Sequence, residues 1–197
     1  MDDMQIIVCG PNRSGTSLMM RCLEKAGFKM DDDLIPGDIG NIYGYYESRR
    51  FKAECHKITM SREPGIEGFR KLLDKKGRWA WKYPKSVFML NVIFAATKNM
   101  FVIYMDRPKN DVIKSMIRHA ELKNVAPTLK EYSLFYNGSL RAINAYEHRK
   151  LKVSFIDLVK DEKKIMNEVL EFLGLEPNYN YTAVDIEEVH FMEESEK

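Results

Sequence analysis

Cysteine is scarce in this chain and unpatterned: Cys9, Cys22 and Cys55 are odd in number, and none stand at C-x-x-C spacing. Neither a disulfide framework nor a thiolate metal site finds support, and the three read as small apolar fillers of a buried strand and of helices. Histidine adds nothing to a metal reading, because His56, His119, His148 and His190 show no paired ligand spacing, so no metal is expected. Long apolar runs are missing too. The start, Met1-Asp2-Asp3, leads into an apolar stretch of only about six residues, too short for a secretory signal or a membrane span. The expectation is a cytoplasmic protein with no membrane partner. No charge of one sign dominates: 31 Lys and Arg against 29 Asp and Glu leave a net charge of +2, which excludes a field that would recruit nucleic acid nonspecifically. Repeats, linkers and low-complexity stretches are absent, and oligomeric state leaves no trace in the sequence.

What is present describes an ordinary globule. With 197 residues, 45% of them apolar and 30% charged, the chain suits one domain over 1–197, its acidic tail from about Asp185 weakly patterned. Short β-rich runs predict strands near 4–10, 78–83, 100–105 and 151–156, with a brief fifth between Phe28 and Ile35. Amphipathic helices alternate with them. The expected fold class is α/β, a three-layer α/β/α arrangement around a mostly parallel central sheet. Leu18, Met19, Cys22, Leu23 and Ala26 make one stripe of a helix over 17–26 that Gly27 stops. Thr128 and Glu131 form a capping box for a long helix to about Arg149, in which the interior Gly138 costs roughly 1 kcal/mol against alanine. On that helix Tyr132, Phe135, Tyr136 and Leu140 read as core. A last helix over 163–173 stops at Gly174.

Three segments carry chemistry. Gly10-Pro11-Asn12-Arg13-Ser14-Gly15-Thr16-Ser17 lies between the first strand and the first helix, where a tight glycine turn and a helix amino terminus can cradle an anion. Aligned to the G-x-x-x-x-G-K-[ST] nucleotide loop, it keeps Gly10, Gly15 and Ser17 but has Thr16 in place of the lysine that reaches the β/γ-phosphates. Its cation is Arg13, which suits a single 5′-phosphate better than a triphosphate. The buried run Met100–Met105 is followed by Asp106-Arg107-Pro108, and Ser115 stands eight residues beyond Arg107. With Pro108 near a helix start, Arg107 at a strand end and Ser115 two turns into the helix can face one ligand. Trp79-Ala80-Trp81-Lys82-Tyr83-Pro84-Lys85 reads as an aromatic strand that brings Lys82 to the same sheet edge as the loop.

Together these segments resemble the sulfotransferases. Arg13-Ser14-Gly15-Thr16-Ser17 satisfies that family's 5′-phosphosulfate pattern [KR]-S-G-T-[ST], and Arg107, Pro108 and Ser115 match its 3′-phosphate motif. Asn41-Ile42-Tyr43-Gly44-Tyr45-Tyr46-Glu47 is similar to the N-x-x-G-[YF]-[FY]-E segment of bacterial and carbohydrate-directed members. The likeness runs from about residue 4 to 175 and includes Glu171-Phe172-Leu173-Gly174-Leu175 at the end of the last helix. It implies transfer of a sulfuryl group from 3′-phosphoadenosine 5′-phosphosulfate (PAPS) to a hydroxyl or amine of a small-molecule or carbohydrate acceptor, leaving adenosine 3′,5′-bisphosphate (PAP), with no metal. By the same likeness Arg13, Ser14, Gly15, Thr16 and Ser17 hold the 5′ end, Arg107 and Ser115 hold the 3′-phosphate, and Lys82 neighbours the transferring group.

The chain also departs from the family. Pro84 stands where the cytosolic branch has its histidine base two residues after the lysine, so the resemblance gives that role to Glu47, with Arg13 and Lys82 stabilising charge on the leaving oxygen. The R-K-G loop that adds 3′-phosphate contacts in that branch is missing. Residues 36–60 are the expected acceptor wall, where Tyr43, Tyr45, Tyr46 and Phe51 suit stacking on a sugar or aromatic ring and core packing equally well. His56 and His119 are reserve candidates for the base. Two rival readings are a nucleotide or small-molecule kinase with a divergent loop, for which Asp106 is the one metal-binding candidate, and a noncatalytic nucleotide-binding protein.

Overall fold

The computed structural model describes residues 3–39, 41–60, 65–97, 99–123 and 129–183. Four short strands, β1 (Met4–Cys9), β2 (Arg78–Lys82), β3 (Met100–Asp106) and β4 (Lys150–Ser154), form one sheet in the order β2-β1-β3-β4, every pairing parallel. Strands enclosed on both sides need continuous apolar sequence, and all six residues of β1 are buried. Side-chain alternation then deals these residues to two cores.

On one face Ile6 and Val8, with Phe101, Ile103 and Met105, pack against α1 (Thr16–Lys25), α7 (Phe155–Lys160) and α8 (Glu162–Phe172). On the other, Ile7 and Cys9, with Met100, Val102 and Tyr104, meet α2 (Arg49–Met60), α3 (Ile66–Leu73), a 3₁₀ turn (Pro84–Met89), α4 (Leu90–Ala96) and the end of α6 (Leu129–Ala145). The three cysteines are buried and free, Cys9 and Cys22 beneath opposite faces of the sheet. Burial pushes the Cys9 and Cys55 thiols well up, so both stay protonated. No helix among the described residues is long and apolar enough to cross a membrane.

The order of strands positions the site. The chain leaves β1 toward β2 on one side, whereas β3 leads through α5 (Lys109–Leu122) and α6 to β4 on the other. The crevice beyond the carboxyl ends of β1 and β3 is therefore the place where successive loops part, the usual ligand position in an open parallel sheet.

The expected fifth strand between Phe28 and Ile35 is not formed. Lys29 makes a single parallel bridge to Trp79 beside β2, and Leu34 a single antiparallel bridge to Ser48. Between them the buried Asp31 turns inward to accept from Ser48 Oγ and from Arg50 Nε, the latter at 3.1 Å, and this side-chain network replaces the ladder. α6 ends at Ala145 instead of near Arg149, because the Lys150 ammonium returns to its last carbonyls, 2.8 Å from Ile143 O and 3.2 Å from Asn144 O. β4 stops at Ser154, whose hydroxyl accepts from Asp157 N–H at 3.2 Å and caps α7, so Phe155 and Ile156 are helical rather than extended. Thr128 of the expected capping box, His190 and the acidic tail lie outside the described residues.

Candidate functional site

The loop after β1 needs glycine at both ends. At Gly10, φ is +143° and a Cβ would lie 2.6 Å from Met105 O. At Gly15, φ is +93° and a Cβ would stand 2.3 Å from Phe155 Cδ2. Arg13 between them also has positive φ, 66°, which coils the backbone into a tight turn. Ser14 is fully buried and donates its hydroxyl to Pro11 O at 2.7 Å, so it braces the turn from inside. Gly15 caps α1 without any side-chain hydrogen bond, which leaves the first amides of the helix and the positive end of its dipole facing the crevice.

The cation missing at position 16 arrives from the neighbouring strand. Lys82 is paired in register with Val8 at the end of β2, and this carries its ammonium to 3.4 Å from Ser17 Oγ. The same Nζ donates to Tyr45 O at 2.8 Å and to Glu47 Oε1 at 3.0 Å. Lys82 is only 3% exposed and Glu47 13%, so the pair is screened little by water. Burial lowers the Lys82 pKa, and the Glu47 charge opposes that shift. Lys52 Nζ lies 3.7 Å from the second Glu47 oxygen. The carboxylate proposed from sequence as a base and the lysine proposed beside the transferring group are thus partners.

A second cationic group forms where β3 ends. Arg107 is buried, donates from Nη1 to Arg13 O at 3.1 Å, and lies with its guanidinium 4.2 Å from the centre of the Phe155 ring. Ser115, on α5, accepts from Arg13 Nε at 3.2 Å. Arg13, expected to serve the 5′ end alone, therefore stands between the two groups, and burial lowers its pKa. Arg13, Gly15, Thr16, Ser17, Glu47, Lys82, Arg107 and Ser115 border one cavity of about 940 Å³, near the upper end for small-molecule sites, whereas Ser14 and Asp106 do not. His56 and His119 border it as well, and His56 Nε2 is 2.7 Å from Tyr83 Oη.

Several contributors were not read from sequence as parts of the site. Tyr132 and Tyr136, one turn apart on α6, were expected as core. Their rings are buried, yet their hydroxyls donate to the carbonyls of Asn12 and Arg107, the latter at 2.8 Å. One helix thus clamps both cavity-bordering segments. A pair of tyrosines rather than phenylalanines at i, i+4 spacing was the available signal. Phe155 fills the space beside Gly15 and backs Arg107. Among the four aromatic residues expected on the acceptor wall, Phe51 is fully buried and stacks on Trp81. Tyr45 and Tyr46 are held by their hydroxyls, on Asp38 and Glu24, each at 2.9 Å. Tyr43 alone of the four is open to solvent, its ring 4.3 Å from the Arg21 guanidinium.

No protein-family model matches this sequence, and no curated protein matches it. Solved structures do. The sulfotransferase domain of the Synechococcus PCC 7002 olefin synthase is 17% identical with a TM-score of 0.58, the match covering 96% of this chain and 82% of that one. A sulfotransferase from Alicyclobacillus acidocaldarius is 15% identical with a TM-score of 0.59, covering 99% and 90%. Mouse sulfotransferase SULT7A1, crystallised with PAP, is 17% identical with a TM-score of 0.53, covering 99% of this chain and 65% of its own. At these identities the likeness is one of architecture: the chain has the sulfotransferase fold, an all-parallel sheet flanked by helices.

Proposed function

We propose that the protein is a sulfotransferase that moves a sulfuryl group from PAPS to a hydroxyl or amine of a small-molecule or carbohydrate acceptor by in-line displacement. One observation carries the reading: the ion pair of buried Lys82 with half-buried Glu47 and the Arg13–Ser115–Arg107 group border the same cavity, at the mouth of a glycine-bounded anion cradle. The fold shared with sulfotransferases, one of them crystallised with PAP, supports it.

The residues present fit such a donor. The α1 amides, Thr16 and Ser17 suit its 5′-phosphate, while Arg107 and Ser115 suit its 3′-phosphate, where a planar guanidinium can pair two oxygens. The missing R-K-G loop has a local substitute in Arg13, whose guanidinium lies beside Ser115. When bound, the donor supplies the sulfuryl group and a bisphosphate leaving group. Lys82 opposes the charge that grows on the leaving oxygen, an electrostatic contribution strengthened by its burial. Glu47, within reach of the Lys82 and Lys52 ammonium groups, receives the acceptor proton.

Incubation with PAPS and a mixed acceptor library, with EDTA present, tests the proposal by chromatographic release of PAP. Acceptor-dependent PAP formation that is lost in Lys82→Ala is expected. Consumption of ATP with Mg²⁺ and no PAP release from PAPS would overturn it in favour of a kinase.

A further inference from the structure

We propose that Tyr83 holds a hydroxyl acceptor by donating a hydrogen bond to the oxygen that attacks sulfur, and that His56 is the positioning residue that aims it; this rests on the sulfuryl-transfer reading. The start of α2 decides what faces the cavity. Ser48 Oγ accepts from Phe51 N–H at 3.0 Å and fixes the first turn, while Phe51 and Cys55, one turn apart, are buried in the core. Lys52 and His56 each follow one of these by one residue, so both lie on the neighbouring face and border the cavity. Lys52 Nζ reaches Glu47 Oε2 at 3.7 Å, and His56 Nε2 lies 2.7 Å from Tyr83 Oη, the two rings edge-on with centroids 5.7 Å apart. Lys52 Nζ also stands 5.7 Å from the centre of the Tyr83 ring, so one ammonium borders both carboxylate and phenol.

Tyr83 is fixed from the other side by its own chain. It follows Lys82 directly, Pro84 keeps it extended at φ −155° and ψ 118°, and its carbonyl accepts from Ser86 N–H at 2.9 Å. Only 5% of it is exposed, yet it borders the cavity beside Glu47 and Lys82. Burial, then the Cys55 thiol and the Glu47 carboxylate, push its pKa up to about 12, so the phenol keeps its proton at neutral pH. Among the described residues His56 is the one hydrogen-bond partner of its oxygen. A phenol has one proton to donate and lone pairs with which to accept. When His56 donates its Nε2–H to Tyr83 Oη, the phenol proton is left for the cavity. An acceptor hydroxyl has needs that match: its proton goes to Glu47, one lone pair forms the bond to sulfur, and the other is open to a donor. Tyr83 fills that last position and so orients the attacking lone pair. In the transfer, the acceptor oxygen bonds to sulfur as the bond from sulfur to the 5′-phosphate oxygen breaks. The electron pair leaves on PAP, the acceptor proton goes to Glu47, and Tyr83 retains its own.

The test measures kcat/KM for 2-naphthol, N-acetylglucosamine and glycerol 3-phosphate with PAPS, in the wild-type protein and in Tyr83→Phe, His56→Ala and His56→Gln, alongside calorimetric PAP binding by each. Tyr83→Phe keeps the ring and removes the hydroxyl. It should lower kcat/KM for the best of the three acceptors by about tenfold, the scale of one hydrogen bond to the reacting oxygen, with PAP affinity unchanged. His56→Ala should reproduce much of that loss. His56→Gln, whose carboxamide can still donate to Tyr83 Oη, should recover most of it, a distinction that a histidine needed only for packing would not produce. The inference is overturned by unchanged kcat/KM in Tyr83→Phe, by His56→Gln performing no better than His56→Ala, by a parallel loss of PAP affinity, or by PAP binding without transfer to any of the three acceptors. Failure of the wild-type protein to bind PAP would instead remove the sulfuryl-transfer reading, and this inference with it.

Discussion

Lys82 Nζ lies 3.0 Å from Glu47 Oε1, joining the end of β2 to a loop 35 residues earlier in the chain. The two groups depend on each other. Burial works against the ammonium, and the carboxylate restores part of its basicity. Glu47→Gln should therefore do two things. Turnover falls by about 10²-fold or more, the scale of a lost general base, while PAP affinity at neutral pH is largely kept. Lys82, deprived of its counter-charge, gives up its proton at a lower pH, so the alkaline limb of the pH–rate profile moves to lower pH than in the wild type. An unmoved limb would separate the lysine from the chemistry.

Arg107 is expected to select the 3′-phosphate. Arg107→Ala should weaken PAP binding by about 10- to 150-fold, corresponding to roughly 1.5–3 kcal/mol for a hydrogen bond to a charged group. Binding of 5′-AMP, which lacks that phosphate, should change far less. Calorimetry on both ligands checks the difference. Equal losses would mean that Arg107 acts by holding Arg13 O, with no direct part in recognition.

Tyr132 and Tyr136 set the spacing between the two cavity-bordering segments, since each hydroxyl grips a carbonyl of one of them. Tyr132→Phe and Tyr136→Phe keep the ring packing and remove those bonds, at about 1 kcal/mol each. The double variant should lose affinity for PAP, which bridges both segments, more than for 5′-AMP, which engages one. Comparable losses for the two ligands would reduce the tyrosines to general support.

Asp31 links the segment after α1 to α2. Burial alone would raise its pKa, but hydrogen bonds from Ser48 and Arg50 outweigh that and hold it below the ordinary carboxylate range. A pKa depressed by folding contributes stability that is complete above the unfolded value, about 3.9, and is lost as the pH falls through the folded value. Thermal melts should show Asp31→Asn less stable than the wild type at pH 7, with the gap narrowing steadily below about pH 4.

The sheet and the residues that border the cavity were legible because their signals are local. Gly10 and Gly15, the Arg107-Pro108 step and the apolar strands each declare themselves within about ten residues, the range over which turn and strand patterns operate. The unread parts depend on distance. Arg13 meets Ser115 across 102 positions and Tyr132 meets Asn12 across 120, and neither contact has a spacing rule that sequence could supply. The segment from Phe28 to Ile35 has strand-like residues at both ends, but the inward turn of Asp31 to Ser48 and Arg50 decides its shape. The overrun of α6 has the same origin, since Lys150 lies beyond the helix it caps.

The central claim is that this cavity recognises an adenosine nucleotide through two separate anion-binding groups. Calorimetric titration of the wild-type protein with PAP and with ADP, each with and without Mg²⁺, tests it most directly. Tight, metal-independent binding of PAP with much weaker binding of ADP is the predicted result. Preference for ADP, strengthened by Mg²⁺, would contradict it.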